Sequence, residues 1–420
     1  MELSILLISL IFVIALLVDY NKTVLFVAAW LLVLDSCVSP INKLSLLQFI
    51  VGFILVFYFI NRKEHSATSY PFWWCPMLIG ISLLVTNIFS SESHWPSSIA
   101  MLISEFVFPF FLWNAIKDEK DVHHLVKYMF VFFMIFCTYG LFEAITGTNP
   151  LIKWMISSDL FPQVGESDRF RFGIKRIQSF LTLNGACGYC ATSGFMIMLY
   201  LVMYQRRYVT KYIRWMPYLI TALFLCMFFT GTRSVYAGFA AGALFFVRKS
   251  MFRYKYTYLV IVLCIIIIPF LSTFLEEIIE SFVDTESVGG SNTDMRQTQF
   301  ETSLYFMERN LFVGNGIGFT FGYVREFFST DIYGAESVWM PLMMDRGLIG
   351  VVTYAISFLI PLIYCIKNKI YIGFFLLFSF IALKTLTSAP GIGNGYFLTI
   401  AVIAIRIAMI GRRKSANIRL

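Results

Sequence analysis

GLIGVVTYAISFLIPLIYCI, residues 347–366, runs for twenty residues without a charged side chain. As a helix rising 1.5 Å per residue it extends about 30 Å, the thickness of a bilayer's hydrocarbon core. ELSILLISLIFVIALLV at 2–18 and the stretch at 257–275 repeat the pattern. The composition fits the same solvent. The 420 residues are 58% hydrophobic and 14% charged, with 45 Phe and 22 Tyr, against about 25% charged for an ordinary soluble domain. So many apolar runs exclude a signal peptide followed by a soluble domain. The expected fold is an all-α polytopic membrane protein with about 12–13 transmembrane helices. The spans fall near 2–18, 24–39, 45–60, 72–89, 98–115, 125–145, 183–203, 216–230, 234–247, 257–275, 347–366, 370–386 and 394–410.

Orientation follows from Lys and Arg in the short connections. NRK at 61, IKDEK at 116, QRRYVTKYIR at 205, RKSMFRYK at 248, KNK at 367 and the tail from 411 all carry Lys or Arg. Placing them in the cytoplasm gives a consistent alternation, with the C-terminus inside. It puts two long loops, 147–181 and 276–346, on the outer face of a single integral membrane domain, 1–420. The net charge of +8 is then mostly an orientation signal, and no nucleic-acid partner is expected. The eight cysteines all fall in expected spans, so no disulfide framework is implied. Cys187 and Cys190 have a metal-like spacing with no second pair nearby, and the four His show no zinc-protease pattern. Neither a metal nor a cofactor is expected.

Polar residues at depth are costly in a membrane protein and mark function by default. In FFTGTRSVYAGFAAG, residues 228–242, Arg233 sits among Gly, Thr and Ser at the start of a span, with Thr232 placed to cap the helix. A helix N-terminus favours anions, and a guanidinium adds a charge and a fork of donors. Two readings fit: a phosphate site, or an arginine that snorkels to the interface. RFRFGIKRIQSFLTLNGACGY, 169–189, carries Arg169, Arg171, Lys175 and Arg176 on the outer face, then Asn184. Basic residues outside run against the usual bias; they meet either an anionic substrate or lipid headgroups.

The large loop opens with an acidic run, Glu276 to Glu286, read as a solvated face. In NTDMRQTQFETSLYFMER, 292–309, Asn292 is a cap and Phe300, Leu304 and Met307 recur at helical spacing, with Arg296 extending that row. The row is expected to lie on the membrane domain. GNGIGF at 314–319 lacks the strand and βαβ unit of a dinucleotide site and is read as tight turns. Glu336 is expected to begin a helix carrying Met340 and Met343, with Gly347 before the next span. It is either an ordinary first-turn carboxylate or a catalytic base near the bilayer surface.

In this order the pieces resemble the O-antigen polymerase and O-antigen ligase superfamily over roughly residues 165–360. Arg176, Phe180 and Asn184 match its Arg-x-x-Gly-x-Phe-x-x-x-Asn segment, with Ser179 in place of the glycine; Thr230, Arg233, Ser234 and Gly238 match its second motif. Arg296, the glycines at 314, 316 and 318, the Glu336-Ser337 pair and Gly347/Gly350 match its outer loop. The ligase branch carries His-Asn where this chain has Glu336-Ser337, which favours the polymerase branch. The resemblance implies a GT-C-like, metal-independent, inverting glycosyltransferase of the bacterial inner membrane, acting at the periplasmic face. Its implied substrates are polyprenyl-diphosphate-linked oligosaccharides, with undecaprenyl diphosphate as the donor's carrier. A ligase-type transfer to a lipid or protein acceptor is the first alternative, and a transporter of lipid-linked oligosaccharide is the alternative of another class. Arg176, Arg233, Arg296, Asn184 and Arg171 are the expected diphosphate ligands, and Glu336 with Arg233 the expected catalytic groups. Membrane lipids and optionally a chain-length regulator are the remaining partners.

Overall fold

The computed structural model describes residues 2–33, 46–60, 70–89, 94–157, 170–171, 174–181, 183–246, 293–320, 322–323, 335–386 and 394–417. The expected span at 257–275, the basic segments at 61 and 248 and the acidic run before 292 lie outside them. The chain is helical. In order come α1 (Glu2–Val18), α2 (Tyr20–Leu31), α3 (Leu46–Ile60), α4 (Trp74–Phe89), α5 (Trp95–Met101) and α6 (Phe108–Ala115). Then follow α7 (Glu119–Thr146), α8 (Pro150–Ser157), α9 (Asn184–Tyr204), α10 (Met216–Phe229), α11 (Arg233–Ala243) and α12 (Thr293–Arg309). Last come α13 (Trp339–Lys367), α14 (Tyr371–Leu386) and α15 (Asn394–Asn417). A π-helical turn, Leu102–Val107, joins α5 to α6. Between α8 and α9, Phe170–Arg171 pairs antiparallel with Ile174–Lys175 as a two-residue hairpin.

Among the described residues, four helical stretches are long and apolar enough to cross a membrane: Ser98–Ala115, Glu119–Thr146, Asn184–Tyr204 and Trp339–Lys367. Shorter apolar helices lie at Gln48–Ile60, Trp74–Phe89, Met216–Phe229 and Tyr371–Leu386. The surface explains why these sequences form helices with apolar exteriors. On α13, Val352, Ile356, Leu359 and Ile363 are exposed at helical spacing, while Thr353, Tyr354, Ser357, Phe358 and Leu362 turn inward. Lipid satisfies the outer face, so polar groups gather inside.

Helix ends carry the local signals. Asp118 caps α7 by accepting the N–H of Lys120 (2.7 Å) and Asp121 (3.0 Å), and Asp121 answers by accepting the Asp118 N–H at 3.1 Å. The helix stops at Gly147, whose N–H bonds the Glu143 carbonyl at 2.9 Å.

The expected span 347–366 begins eight residues early, at Trp339, and bends at Gly347, whose φ of 58° is non-helical. The expected span 234–247 is shorter, since α11 covers 11 residues, or about 16 Å of helix.

Most of α15 from Leu398 to Ile410 is buried in the main core. Around it, α2 packs on α7, α4 on α13, α9 on α10, and α11 and α15 on α14. Basic segments gather at one end of this bundle. Arg207 pairs with Glu119 at 2.9 Å and donates to the Gly411 carbonyl at 3.1 Å, and Arg412 donates to the Asn368 carbonyl at 2.8 Å. The connections at 116, 205 and 367 and the start of the tail therefore share an end, as the charge pattern predicts. The starts of α9, α11, α13 and α15 lie at the other end.

Candidate active site

Two polar corners lie at that second end. The first joins the segment before α9 to the connection between α10 and α11. Ile177 donates its N–H to the Phe229 carbonyl at 3.2 Å. Arg176 then forks across the connection, with Nε on the Thr230 carbonyl at 2.9 Å and Nη2 on Thr232 Oγ1 at 2.7 Å. Asn184 closes the loop by donating to the Ile177 carbonyl at 2.9 Å. Thr232 does occupy the cap position of α11, with extended backbone, but its hydroxyl gives the helix no side-chain cap. That hydroxyl accepts from Arg176 and donates to the Thr230 carbonyl at 3.2 Å instead. Arg233 is the first residue of α11 and is half-buried.

Ser179, where the resembled motif has glycine, sits at φ 53°, the left-handed region that favours glycine. Its neighbours hold it there. The buried Glu143 carboxylate at the end of α7 accepts the N–H of Gln178 at 3.1 Å and of Ser179 at 2.7 Å. Asn149 donates to the Ser179 carbonyl at 2.9 Å, and the Ser179 hydroxyl donates to the Phe136 carbonyl at 2.9 Å. Glu143 and Asn149 were not among the residues the sequence singled out; a lone carboxylate within an apolar span was the available signal.

The second corner joins α12 to the start of α13. Arg296 Nη2 reaches Glu336 Oε2 at 3.0 Å and the Leu386 carbonyl at 3.4 Å. Both side chains are about one third exposed, at 38% and 33%. Glu336 precedes the helix instead of beginning it. The chain turns at Ala335 (φ 37°) and α13 starts at Trp339, whose N–H bonds Ser337 Oγ at 3.3 Å. Glu336 is therefore not a first-turn carboxylate; its side chain is held by Arg296 and its N–H by Gln299 Oε1 at 3.3 Å.

The inner face of α12 also differs from expectation. Gln299, Ser303 and Phe306 are buried, whereas Phe300 is 47% exposed. Arg296 lies one turn before this row, at its exposed edge, where it meets Glu336. Phe306 meets Phe319 and Tyr323, with ring centroids 5.2 and 4.8 Å away.

The glycine run forms the expected turns: Gly314, Gly316 and Gly318 all have positive φ (70°, 112°, 84°). Asp345 fastens it. The buried carboxylate accepts from Gly318 N at 3.0 Å, Thr320 N at 2.8 Å and Thr320 Oγ1 at 2.5 Å, while the Asp345 carbonyl accepts from Gly316 N at 3.0 Å. Asp345 was legible only as one acid in an apolar stretch.

Helix α14 brings the corners together. Gly238 on α11 approaches it so closely that a Cβ would lie 3.1 Å from the Ser379 carbonyl oxygen and 3.3 Å from Leu383 Cβ. In the turn just past the end of α11, Phe245 meets Phe375 with centroids 6.1 Å apart. The two helices thus run antiparallel, which sets Arg233 at the level of the last turn of α14. That turn supplies the Leu386 carbonyl to Arg296, the Lys384 carbonyl to Val338 N (3.0 Å) and Thr385 Oγ1 to Trp339 Nε1 (3.1 Å). Arg171 lies in the hairpin strand Phe170–Arg171; its side chain falls outside the described residues. Among the described residues there is no group of three or more His, Cys, Asp or Glu placed to hold a metal ion.

The fold and the grouping of arginines with a carboxylate at one end define a polytopic helical membrane protein. Residues 218–355 match the family model described as O-antigen ligase, a stretch that includes Arg233, Arg296 and Glu336. The match is a similarity to that family over this stretch, in line with the O-antigen ligase and polymerase superfamily that the motifs resemble. Comparison with curated proteins finds no match.

Proposed function

We propose that the protein is a polysaccharide polymerase of the O-antigen type in the bacterial inner membrane. It transfers a growing glycan from a polyprenyl-diphosphate carrier to a sugar hydroxyl of another lipid-linked repeat unit. The observation that carries this reading is the Arg296–Glu336 contact, 3.0 Å, on the last turn of α14, the turn that also lies level with Arg233. The site faces the periplasm and the end with Arg207 and Arg412 faces the cytoplasm, in keeping with the distribution of Lys and Arg.

In the reaction the acceptor hydroxyl oxygen attacks the anomeric carbon, and the bond from that carbon to the diphosphate oxygen breaks with its electron pair. The diphosphate gathers negative charge as it leaves. Fixed donors aimed at developing charge are usually the largest catalytic contribution, and Arg176, Arg233 and Arg296 supply them. Glu336 accepts the hydroxyl proton as general base. One displacement with one base inverts the anomeric centre. In the resting protein Arg296 pairs with Glu336 at 3.0 Å; an arriving diphosphate shares that guanidinium and turns the carboxylate toward the acceptor. Asn184 keeps the Ile177 carbonyl, and through it the Arg176 fork, in place.

The family description names a ligase, and a glycan moved to a lipid or protein acceptor uses the same donor chemistry. The Glu336-Ser337 pair, in place of His-Asn, favours the polymerase. Arg233→Ala and Glu336→Gln, expressed in the parent bacterium and read on gels of surface polysaccharide, test the proposal. Loss of chain extension at normal protein level, with single repeat units still displayed, supports it. Failure of single units to reach the outer face supports the transporter reading, and unchanged polymer overturns both site assignments.

A further inference from the structure

Trp339, at the start of α13, meets Phe358 with ring centroids 6.0 Å apart. A straight helix would set their backbones about 28 Å apart. The chain therefore reverses at Gly347, and Trp339–Arg346 folds back along the rest of α13. Gly350 permits the reversal, since a Cβ there would lie 3.3 Å from the Leu342 carbonyl oxygen. The part of α13 from Gly347 to Lys367 is about 31 Å long. Helix α14, of 16 residues, is about 24 Å long. Both have one end at the basic face, where Arg412 reaches the Asn368 carbonyl. Leu386, whose carbonyl Arg296 reaches at 3.4 Å, thus stands about 7 Å deeper than Gly347. The Arg296–Glu336 pair lies at that deeper level.

Helix α12 climbs out from it. Just past its end, the carbonyls of Leu311 and Phe312 take the N–H groups of Leu348 (2.8 Å) and Ile349 (3.1 Å) at the reversal. On the face opposite Gln299, Ser303 and Phe306, the side chains of Gln297, Glu301, Tyr305 and Arg309 recur every fourth residue, all exposed. The exposed face of α13, with Val352, Ile356, Leu359 and Ile363, is aliphatic, as lipid requires. A stripe carrying an acid, an arginine and an amide below the level of Gly347 faces water instead. Its members are held in place. Gln297 Nε2 donates to Glu301 Oε1 at 2.8 Å, and Arg309 Nη2 donates to the Tyr305 hydroxyl at 2.6 Å. The Tyr305 ring is 53% exposed.

A sugar presents C–H groups on its ring faces and hydroxyls around its rim. A phenol ring with an apolar face, flanked by a carboxylate, an amide and a guanidinium, offers a partner to each. We propose that this stripe of α12 binds the saccharide of the incoming repeat unit. Its acceptor hydroxyl lies at Glu336, and its further sugars lie along Glu301 and Tyr305 toward Arg309, about 18 Å of helix from Gln297. The proposal rests on the reading of the Arg296–Glu336 pair as the transfer site and adds the path of the acceptor's sugars.

The test uses the full-length protein in nanodiscs. The probe is the single repeat-unit oligosaccharide released from the parent bacterium's surface polysaccharide, with binding read by saturation-transfer NMR. Transfer kinetics with lipid-linked repeat units are measured alongside. Tyr305→Leu keeps an apolar side chain suited to lipid but loses the flat ring. It is expected to bind the oligosaccharide at least fivefold more weakly and to raise KM for the acceptor to the same degree, with a smaller change in kcat. Tyr305→Trp is expected to recover most of the loss, and Arg309→Gln, which frees the ring, to weaken binding at least twofold. Wild-type binding and KM in Tyr305→Leu, with Glu336→Gln inactive, overturn the α12 stripe and leave the transfer site standing. Failure of wild type to bind the oligosaccharide overturns the stripe in the same way. Full transfer by Glu336→Gln overturns the transfer site and the stripe with it.

Discussion

The Glu143 carboxylate on α7 accepts the Ser179 N–H at 2.7 Å and holds that residue at φ 53°. One buried acid thus fixes the turn that aims Arg176 at the Thr230–Thr232 connection. Glu143→Ala leaves the N–H groups of Gln178 and Ser179 buried without an acceptor, at about 1–3 kcal/mol each. The expected result is a lower melting temperature in detergent together with weaker glycan transfer. Ser179→Gly relieves the backbone but gives up the hydroxyl's bond to Phe136, so it should change stability by less than about 1 kcal/mol. Ser179→Val, a β-branched residue at positive φ, should cost about 1–3 kcal/mol.

Arg176 makes two contacts from one planar fork, 2.9 and 2.7 Å. A lysine keeps the charge and reaches one acceptor at most. Arg176→Lys should therefore lower the rate of transfer by roughly tenfold or more, matching about 1.5–3 kcal/mol for a charged hydrogen bond, with protein level unchanged. Transfer equal to wild type would show that charge alone suffices and that the fork has no role.

Asp345 accepts from three donors of the glycine turn. Asp345→Asn places an N–H₂ against one of them, a mismatch costing about 1–3 kcal/mol. Loosening of residues 310–320 should follow, seen as faster proteolysis there, and transfer should fall because the same turn backs the Glu336 corner through Phe306, Phe319 and Met344. Wild-type proteolysis in Asp345→Asn would remove this link.

Much of this architecture was legible in the sequence, for identifiable reasons. Uninterrupted apolar runs have few alternatives to helix in lipid, and basic connections sorted themselves to one end, as Arg207, Lys367 and Arg412 do here. The motif residues Arg176 and Asn184 are neighbours in the chain, but the contact of Arg176 with Thr230 and Thr232 depends on how α9 and α10 pack, which no local pattern encodes. Periodicity misled on α12. Phe300 lies on the apolar row by spacing, yet the buried row is Gln299, Ser303 and Phe306: Gln299 accepts the Glu336 N–H, and Phe306 packs with Met344, Phe319 and Tyr323. The helix start also moved. Ala335 takes a positive φ, a conformation its side chain gives no reason to expect, and this carries Glu336 out of the helix and onto Arg296. Asp345 and Glu143 were single charges in apolar stretches, and their partners come from segments distant in sequence.

The Arg296–Glu336 pair is one third exposed, and such pairs add only about 0–1 kcal/mol to stability. Its importance is therefore expected in catalysis and not in folding. The direct measurement is the rate of glycan transfer by purified Glu336→Gln protein in proteoliposomes supplied with lipid-linked repeat units, with farnesyl diphosphate binding followed alongside. Loss of a general base should slow transfer by about 10²–10⁴-fold while diphosphate binding and melting temperature stay near wild type. Transfer within a few fold of wild type would contradict the account.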